Sequence, residues 1–299
     1  MSILRLFLTP PRRKRRLVLR PDIVSLQGVR YTHTMNIDIN ILKESVISAS
    51  KAIVLPQFNS VTRHYKSDGS VVTDADFEMQ EAITYALNLH YPDIALLGEE
   101  MTQVQQQSLL DLGKPLWCLD PIDGTSNFAA GMPYFSVSLA LIEAGRVTFA
   151  VVYDPIRDEC FSAQYGHGAW LNEQPLIPQT TGLSLSQTLA LIDFKRLTPE
   201  LASALITQRP YASQRSLGSI ALELCWIAAG RGHIYLHAKQ QLWDYAAAQL
   251  ILSESGAKAC TLEGSTLTAK QLEPCSTLAA SDADVFTQWC DYLSVKRHD

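Results

Sequence analysis

The stretch Trp117-Cys118-Leu119-Asp120-Pro121-Ile122-Asp123-Gly124-Thr125-Ser126-Asn127-Phe128 decides how this chain is read. Residues 116–119 are apolar and read as the end of a buried strand. Pro121 removes a backbone donor and restricts the residue before it, so a turn is expected there, with Asp120 and Asp123 still close together. Gly124 lets the backbone approach a ligand without a side chain in the way. Thr125 adds a hydroxyl where a water or a phosphate oxygen could sit. Two carboxylates crowded in this way repel each other unless a cation lies between them. An all-oxygen donor set suits hard divalent cations, Mg²⁺ above all. A lone D-x-x-D-G is commonly no more than solvated turn chemistry, so the reading needs support from elsewhere in the chain.

Two further segments supply it. Asp93-Ile94-Ala95-Leu96-Leu97-Gly98-Glu99-Glu100 is strand-like and ends in acid, and Leu242-Trp243-Asp244-Tyr245-Ala246-Ala247-Ala248 puts an aspartate at the start of an apolar helix. Each acid stands where a regular element begins or ends, which is where sites are built. Together with Lys66-Ser67-Asp68-Gly69-Ser70-Val71-Val72-Thr73-Asp74-Ala75-Asp76, these motifs give the chain a resemblance to the inositol monophosphatase family over residues 35–284. The D-P-I-D-G-T element is specific; G-E-E or W-D alone is weak.

The 299 residues exceed one average domain, and 47% hydrophobic with 18% charged residues is an ordinary globular composition. No apolar run approaches the ~20 residues that span a bilayer, so no membrane partner is expected. The six cysteines form no C-x-x-C pair and have mostly apolar neighbours, which reads as reduced core thiols of a cytoplasmic protein without a zinc site. Residues 1–34 differ: Arg5, Arg12, Arg13, Lys14, Arg15, Arg16, Arg20 and Arg30 stand against Asp22 alone, 8 − 1 = +7, leaving −5 − 7 = −12 for the rest. This basic arm reads as a disordered tail outside the core, with Met35 a natural start. Contact of the arm with nucleic acid stays open but is not favoured.

Residues 42, 46, 49 and 53 recur at helical steps, and Pro56 is expected to end that helix. Thr73 with Asp76 reads as a capping box before the next one. Strands follow at 135–142, 147–153 and 159–165, an antiparallel meander backed by two helices. Beyond a turn-rich segment at 172–186 the order changes: strand 189–194, helix 199–208, helix 220–229, strand 233–237, helix 244–255. The expected fold class is therefore α/β, with an α+β N-terminal half (35–180) and an α/β C-terminal half (181–299).

The resemblance implies an αβαβα layered sandwich, a homodimer, and hydrolysis of a phosphomonoester assisted by about two or three Mg²⁺. It implies that Glu99, Asp120, the Ile122 carbonyl, Asp123 and Asp244 hold the metal, with Asp120 bridging. Glu99 and Thr125 would position a water, with Asp76 and Lys66 near the cations, although a helix-start acid and a solvated lysine are equally good accounts of the last two. Gly124 and Thr125 would offer backbone N–H groups to phosphate. Arg215, Ser219, His237 and Lys239 would face the leaving group. The expected substrate is a small phosphorylated polyol such as an inositol monophosphate. Fructose 1,6-bisphosphate, histidinol phosphate and a 3′(2′),5′-bisphosphate nucleotide remain open, as does an accessory protein bound to RNA or RNA polymerase. In inositol-preferring relatives an acid commonly stands where this chain has His237.

Overall fold

The Asp38 carboxylate accepts the Asn40 N–H at 2.9 Å and so starts α1 (Ile39–Ala49), whose Leu42 and Val46 face inward. This computed structural model describes residues 36–58, 60, 63–65, 69 and 71–297; the basic arm of 1–34 and Lys66 lie outside the described residues. Pro56 does not end the first helix. The chain loosens into a π-helical segment, Ser50–Val54, where the Leu55 N–H reaches back to Ser50 O. It then makes one more turn, α2 (Leu55–Gln57), with Pro56 inside it. The wider winding leaves room for a ring that an α-turn would exclude.

A hairpin of β1 (Arg63–Tyr65) and β2 (Val71–Thr73) leads into α3 (Asp74–His90). Thr73 and Asp76 form the expected capping box. Then come β3 (Ala95–Gly98), α4 (Gln103–Asp111), β4 (Leu116–Asp123) and α5 (Thr125–Ala130). The meander follows as β5 (Ser136–Glu143), β6 (Arg146–Asp154), β7 (Glu159–Gln164), β8 (Gly168–Leu171) and β9 (Gln174–Leu176). β3 to β9 make one seven-stranded sheet in chain order, with β3 parallel to β4 and the rest antiparallel.

The remaining elements are β10 (Leu189–Ile192), α6 (Pro199–Gln208), β11 (Ser213–Arg215), α7 (Ile220–Ala228), β12 (Ile234–Gln240), α8 (Leu242–Glu254), β13 (Lys258–Cys260), β14 (Cys275–Ala280) and α9 (Ala283–Tyr292). Their sheet has the order β11-β10-β12-β14-β13; the first three strands are parallel and β14 is antiparallel to both its neighbours.

Side-chain alternation fixes the layers. Leu191, Tyr235 and Ala279 turn toward α7 and α8, and share one core with Cys118, Ala140 and Ala150 of the larger sheet. Ile192, Leu236 and Leu278 turn the other way, onto Leu205 of α6 and Val285 and Trp289 of α9. On the far face of the larger sheet, α1 and α3 pack together, α1 over β6 and β7 and α3 over β4. The result is the αβαβα sandwich, with α7 and α8 as the buried middle layer.

Candidate active site

β4 does not stop at its proline. Asp120 pairs with Ser138 and Asp123 with Ser136, so three steps along β4 match two along β5. This is a β-bulge, and the missing Pro121 N–H falls where the ladder is interrupted anyway. The expected turn is thus a kink within a strand, because β5 continues alongside and holds the segment. The kink lets the Asp120 carboxylate accept the Ile122 N–H at 3.1 Å. It also turns the Ile122 carbonyl to the Thr125 hydroxyl at 2.9 Å. On the other side, the Glu99 N–H donates to Leu119 O at 3.2 Å, which sets Glu99 beside the residue before Asp120.

Three helix starts each receive a carboxylate, where the peptide dipoles favour negative charge. Asp76 in α3 accepts the Thr73 N–H at 2.7 Å and its hydroxyl at 2.6 Å. Its other oxygen lies 3.3 Å from the Thr125 hydroxyl, so a single proton is offered both to Asp76 and to Ile122 O. Asp244 in α8 accepts the Gln241 N–H at 2.7 Å. Asp123 serves α7 from another part of the chain. It accepts the N–H of Ile220 at 3.0 Å, the N–H of Ala221 at 2.7 Å and the Ser219 hydroxyl at 2.6 Å. Ser136 adds a fourth donor at 3.3 Å.

These acids disturb one another. Burial raises Asp120 well above the carboxylate range, and the charges of Glu99, Asp123, Asp244 and Asp76 raise it further. Burial and the charges of Asp123 and Glu99 likewise raise Asp244, against lowering by the Gln241 N–H and, less strongly, by Arg196. Burial pushes Asp123 up to about 6 despite its donors, and Asp76 up to about 7. Among the described residues no three His, Cys, Asp or Glu side chains already close on one point as a finished ligand cage. The donor set nevertheless fits a hard dication, being all oxygen and self-repelling. Glu99, Asp120, the Ile122 carbonyl, Asp123 and Asp244 are the groups that could hold it.

The substrate-side residues are less uniform. Ser219 is buried and committed to Asp123. Arg215 bends its guanidinium back to Ser213 Oγ and Gln214 O of its own strand. Lys239 is exposed beside the bulge that shifts the β12–β14 register between His237 and Gln240. His237 is 3% exposed, and both ring nitrogens have protein partners. Nδ1 accepts the Lys239 N–H at 3.2 Å, so Nε2 carries the proton and faces Asp193 Oδ2 at 3.2 Å. The accessible end of that pair is Asp193, which the sequence reading did not single out. Its partner lies 44 positions away, and no local pattern links them. The His237 hydrogen bond holds Asp193 below the usual carboxylate range, and Arg196 adds to this.

A model of the inositol monophosphatase family matches residues 37–290. The Nus factor SuhB of Pasteurella multocida is 37% identical over 210 residues, covering 67% of this chain and 74% of that protein. The inositol-1-monophosphatase of Bacillus subtilis is 31% identical over 263 residues, covering 86% of this chain and 97% of that protein. Among solved structures, the extragenic suppressor protein SuhB of Bartonella henselae matches with a TM-score of 0.74 at 26% identity, over 85% of this chain and 97% of that one.

Proposed function

The chain belongs to the inositol monophosphatase family, and on that premise we propose that it is a Mg²⁺-dependent phosphoric monoester hydrolase acting on a small phosphorylated polyol. The observation that carries the reading is Asp120, buried at the β4 bulge and raised by burial and by the charges of four neighbouring acids. Bound Mg²⁺ supplies charge neutralisation at the phosphate and a more acidic water. Glu99, Asp120, the Ile122 carbonyl, Asp123 and Asp244 are the proposed ligands. Oδ2 of Asp123 takes the Ala221 N–H and both hydroxyls, and Oδ1 takes the Ile220 N–H, so Oδ1 is the less committed oxygen and the one offered to a cation. The Thr125 hydroxyl, shared between Ile122 O and Asp76, orients the attacking water, and Asp76 takes up the proton passed along that bond. Gly124 and Thr125 present backbone N–H groups to the phosphate. Asp193, held by His237, accepts a hydroxyl of the leaving alcohol. The exposed Lys239, and Arg196, which lowers both Asp193 and Asp244, favour a substrate with a second anionic group, so the bisphosphate alternatives stay in the test. A homodimer in a reducing, cytoplasmic compartment belongs to the same proposal; six unpaired cysteines, five of them buried, support the compartment.

Phosphate release from inositol 1-phosphate, fructose 1,6-bisphosphate, histidinol phosphate and adenosine 3′,5′-bisphosphate, with and without Mg²⁺, tests the reading. Release should require Mg²⁺. Asp120→Asn should lower it by more than about a hundredfold, beyond the loss typical of an outer partner of a metal ligand. Metal-independent release, or a folded Asp120→Asn protein with full activity, overturns the assignment. The name of the Pasteurella relative and the basic residues of 1–34 support a second reading, binding to RNA. In that case salt-sensitive RNA binding should vanish when the protein starts at Met35, with phosphate release untouched.

A further inference from the structure

Between the tip of the β5–β6 hairpin, the second half of α8 and the 266–270 loop lies a cavity of about 390 Å³. A smaller one of about 220 Å³ adjoins it and shares Ala144, Gly145, Ala269 and Lys270. No residue of the proposed active site lines either. The larger volume lies in the range of small-ligand sites. Val147, Leu250, Ala257 and Leu267 give it apolar surface, and Gln249 and Ser253 add polar groups. Its charged residues are all of one sign. Arg146 and Lys270 line the larger cavity, Lys114 and Lys270 the smaller, and among the described residues no Asp or Glu lines either. None of these three cations is ion-paired with a described residue. Two of them are held in place. The Arg146 guanidinium carbon lies 4.6 Å from the centre of the Tyr165 ring, which lines the same cavity. A guanidinium stacked in this way keeps its N–H donors for an anion in its plane. The Lys270 stem crosses Gly145: a Cβ there would lie 2.5 Å from Lys270 Cγ and 2.8 Å from Cε, so only glycine lets the two meet. The walls are tied as well. The Ala269 N–H donates to Gly145 O at 3.4 Å, and the Tyr245 hydroxyl to Thr268 O at 2.9 Å. Walls fixed before binding leave less to order when a ligand arrives.

We propose that this cavity binds a small organic anion, a carboxylate, sulfonate or phosphate ester with an apolar body. Arg146 and Lys270 take the charge, and the surface around Val147, Leu250 and Ala257 takes the body. Cations without an acid among them repel a metal ion. Inorganic phosphate alone leaves the apolar surface unused. The site is a second one, apart from the carboxylates around Asp120, and it stands whether or not the chain hydrolyses a phosphomonoester.

The probe is anilinonaphthalene sulfonate, an aryl anion whose emission rises when it leaves water, titrated against the full chain. N-phenylnaphthylamine, which has the same rings without the charge, is titrated beside it. At its tightest site the sulfonate should bind about tenfold more tightly than the amine. Lys270→Glu and Arg146→Ala should each weaken the sulfonate by about tenfold, the worth of one hydrogen bond to a charged group, and leave the amine unaffected. Asp120→Asn should bind the sulfonate as the wild-type protein does. Three results overturn the proposal: sulfonate and amine bound alike, a sulfonate Kd unchanged in both cavity variants, or a Kd altered by Asp120→Asn, which places the probe among the active-site carboxylates. Arg146 and Lys270 are exposed, so both variants should keep the wild-type Tm. If either does not fold, Lys270→Gln, which keeps length and loses charge, must weaken the sulfonate in the same way; an unchanged Kd is the refutation.

Discussion

Asp76 and Asp123 are raised to about 7 and about 6 because burial penalises their charge and nearby acids add to it. Between the ordinary carboxylate range and those values the folded chain holds protons that the unfolded chain has released. Stability from these groups is therefore complete only below the ordinary value of 3.8, falls as pH rises above it, and is fully lost once pH has passed through about 6 to 7. In the presence of a chelator, the melting temperature should fall from pH 5 to pH 8. A dication that needs the ionised form should reverse this, so the rise in Tm on adding Mg²⁺ should grow over the same interval. Differential scanning fluorimetry across that range, with and without Mg²⁺, gives the answer; a Mg²⁺ increment independent of pH would refute the shared-cation account. Asp120, Asp123 and Asp244 were legible in the sequence because each belongs to a short motif whose neighbours restrict it. Asp193 was not. It depends on a histidine 44 positions further along the chain, so only tertiary contact gives it meaning.

Elements were legible where local patterning sets them and misread where a neighbour does. The α6 start at Thr198-Pro199 and the capping box of α3 follow from residue types alone. The strand through Pro121 depends on β5 beside it, and the helix through Pro56 on a π-helical segment that no periodicity announces. The hairpin of β1 and β2 and the strands β13 and β14 are short or pair far away, so they escaped the sequence reading. The start of α5 provides a test at this scale. Gly124 has φ +94°, and an added Cβ would meet Gly218 O at 3.0 Å. Gly113 has φ +60° with open space around it. Gly124→Ala and Gly113→Ala should each lose about 1–2 kcal/mol to the left-handed backbone. Only Gly124→Ala should also lose phosphatase activity, because it separates α5 from the 217–219 turn. Urea denaturation with parallel activity assays measures both; equal activity in the two variants would show that the close approach does not matter.

Across the whole molecule, the layer order was implied by the family resemblance, while the turn to antiparallel pairing at β14 came only from the structure. The proposed site draws Asp76, Glu99, Asp120 and Asp123 from the larger sheet's side and Asp244 from the middle layer, a span of 244 − 76 = 168 positions. That separation has a kinetic meaning. Contacts so distant along the chain close late, after the loop entropy between them has been spent. A ligand bound only by the completed arrangement stabilises the native state without stabilising the transition state for folding. Added Mg²⁺ should therefore slow unfolding and leave the refolding rate in water where it was. In stopped-flow chevrons the unfolding limb should drop and the refolding limb should stay; a Mg²⁺-accelerated refolding limb would mean that the cation gathers its ligands early and guides assembly. If the limbs behave as expected, the cation acts as a latch, closed once on a finished molecule, and its loss shortens the lifetime of the fold without making it harder to reach.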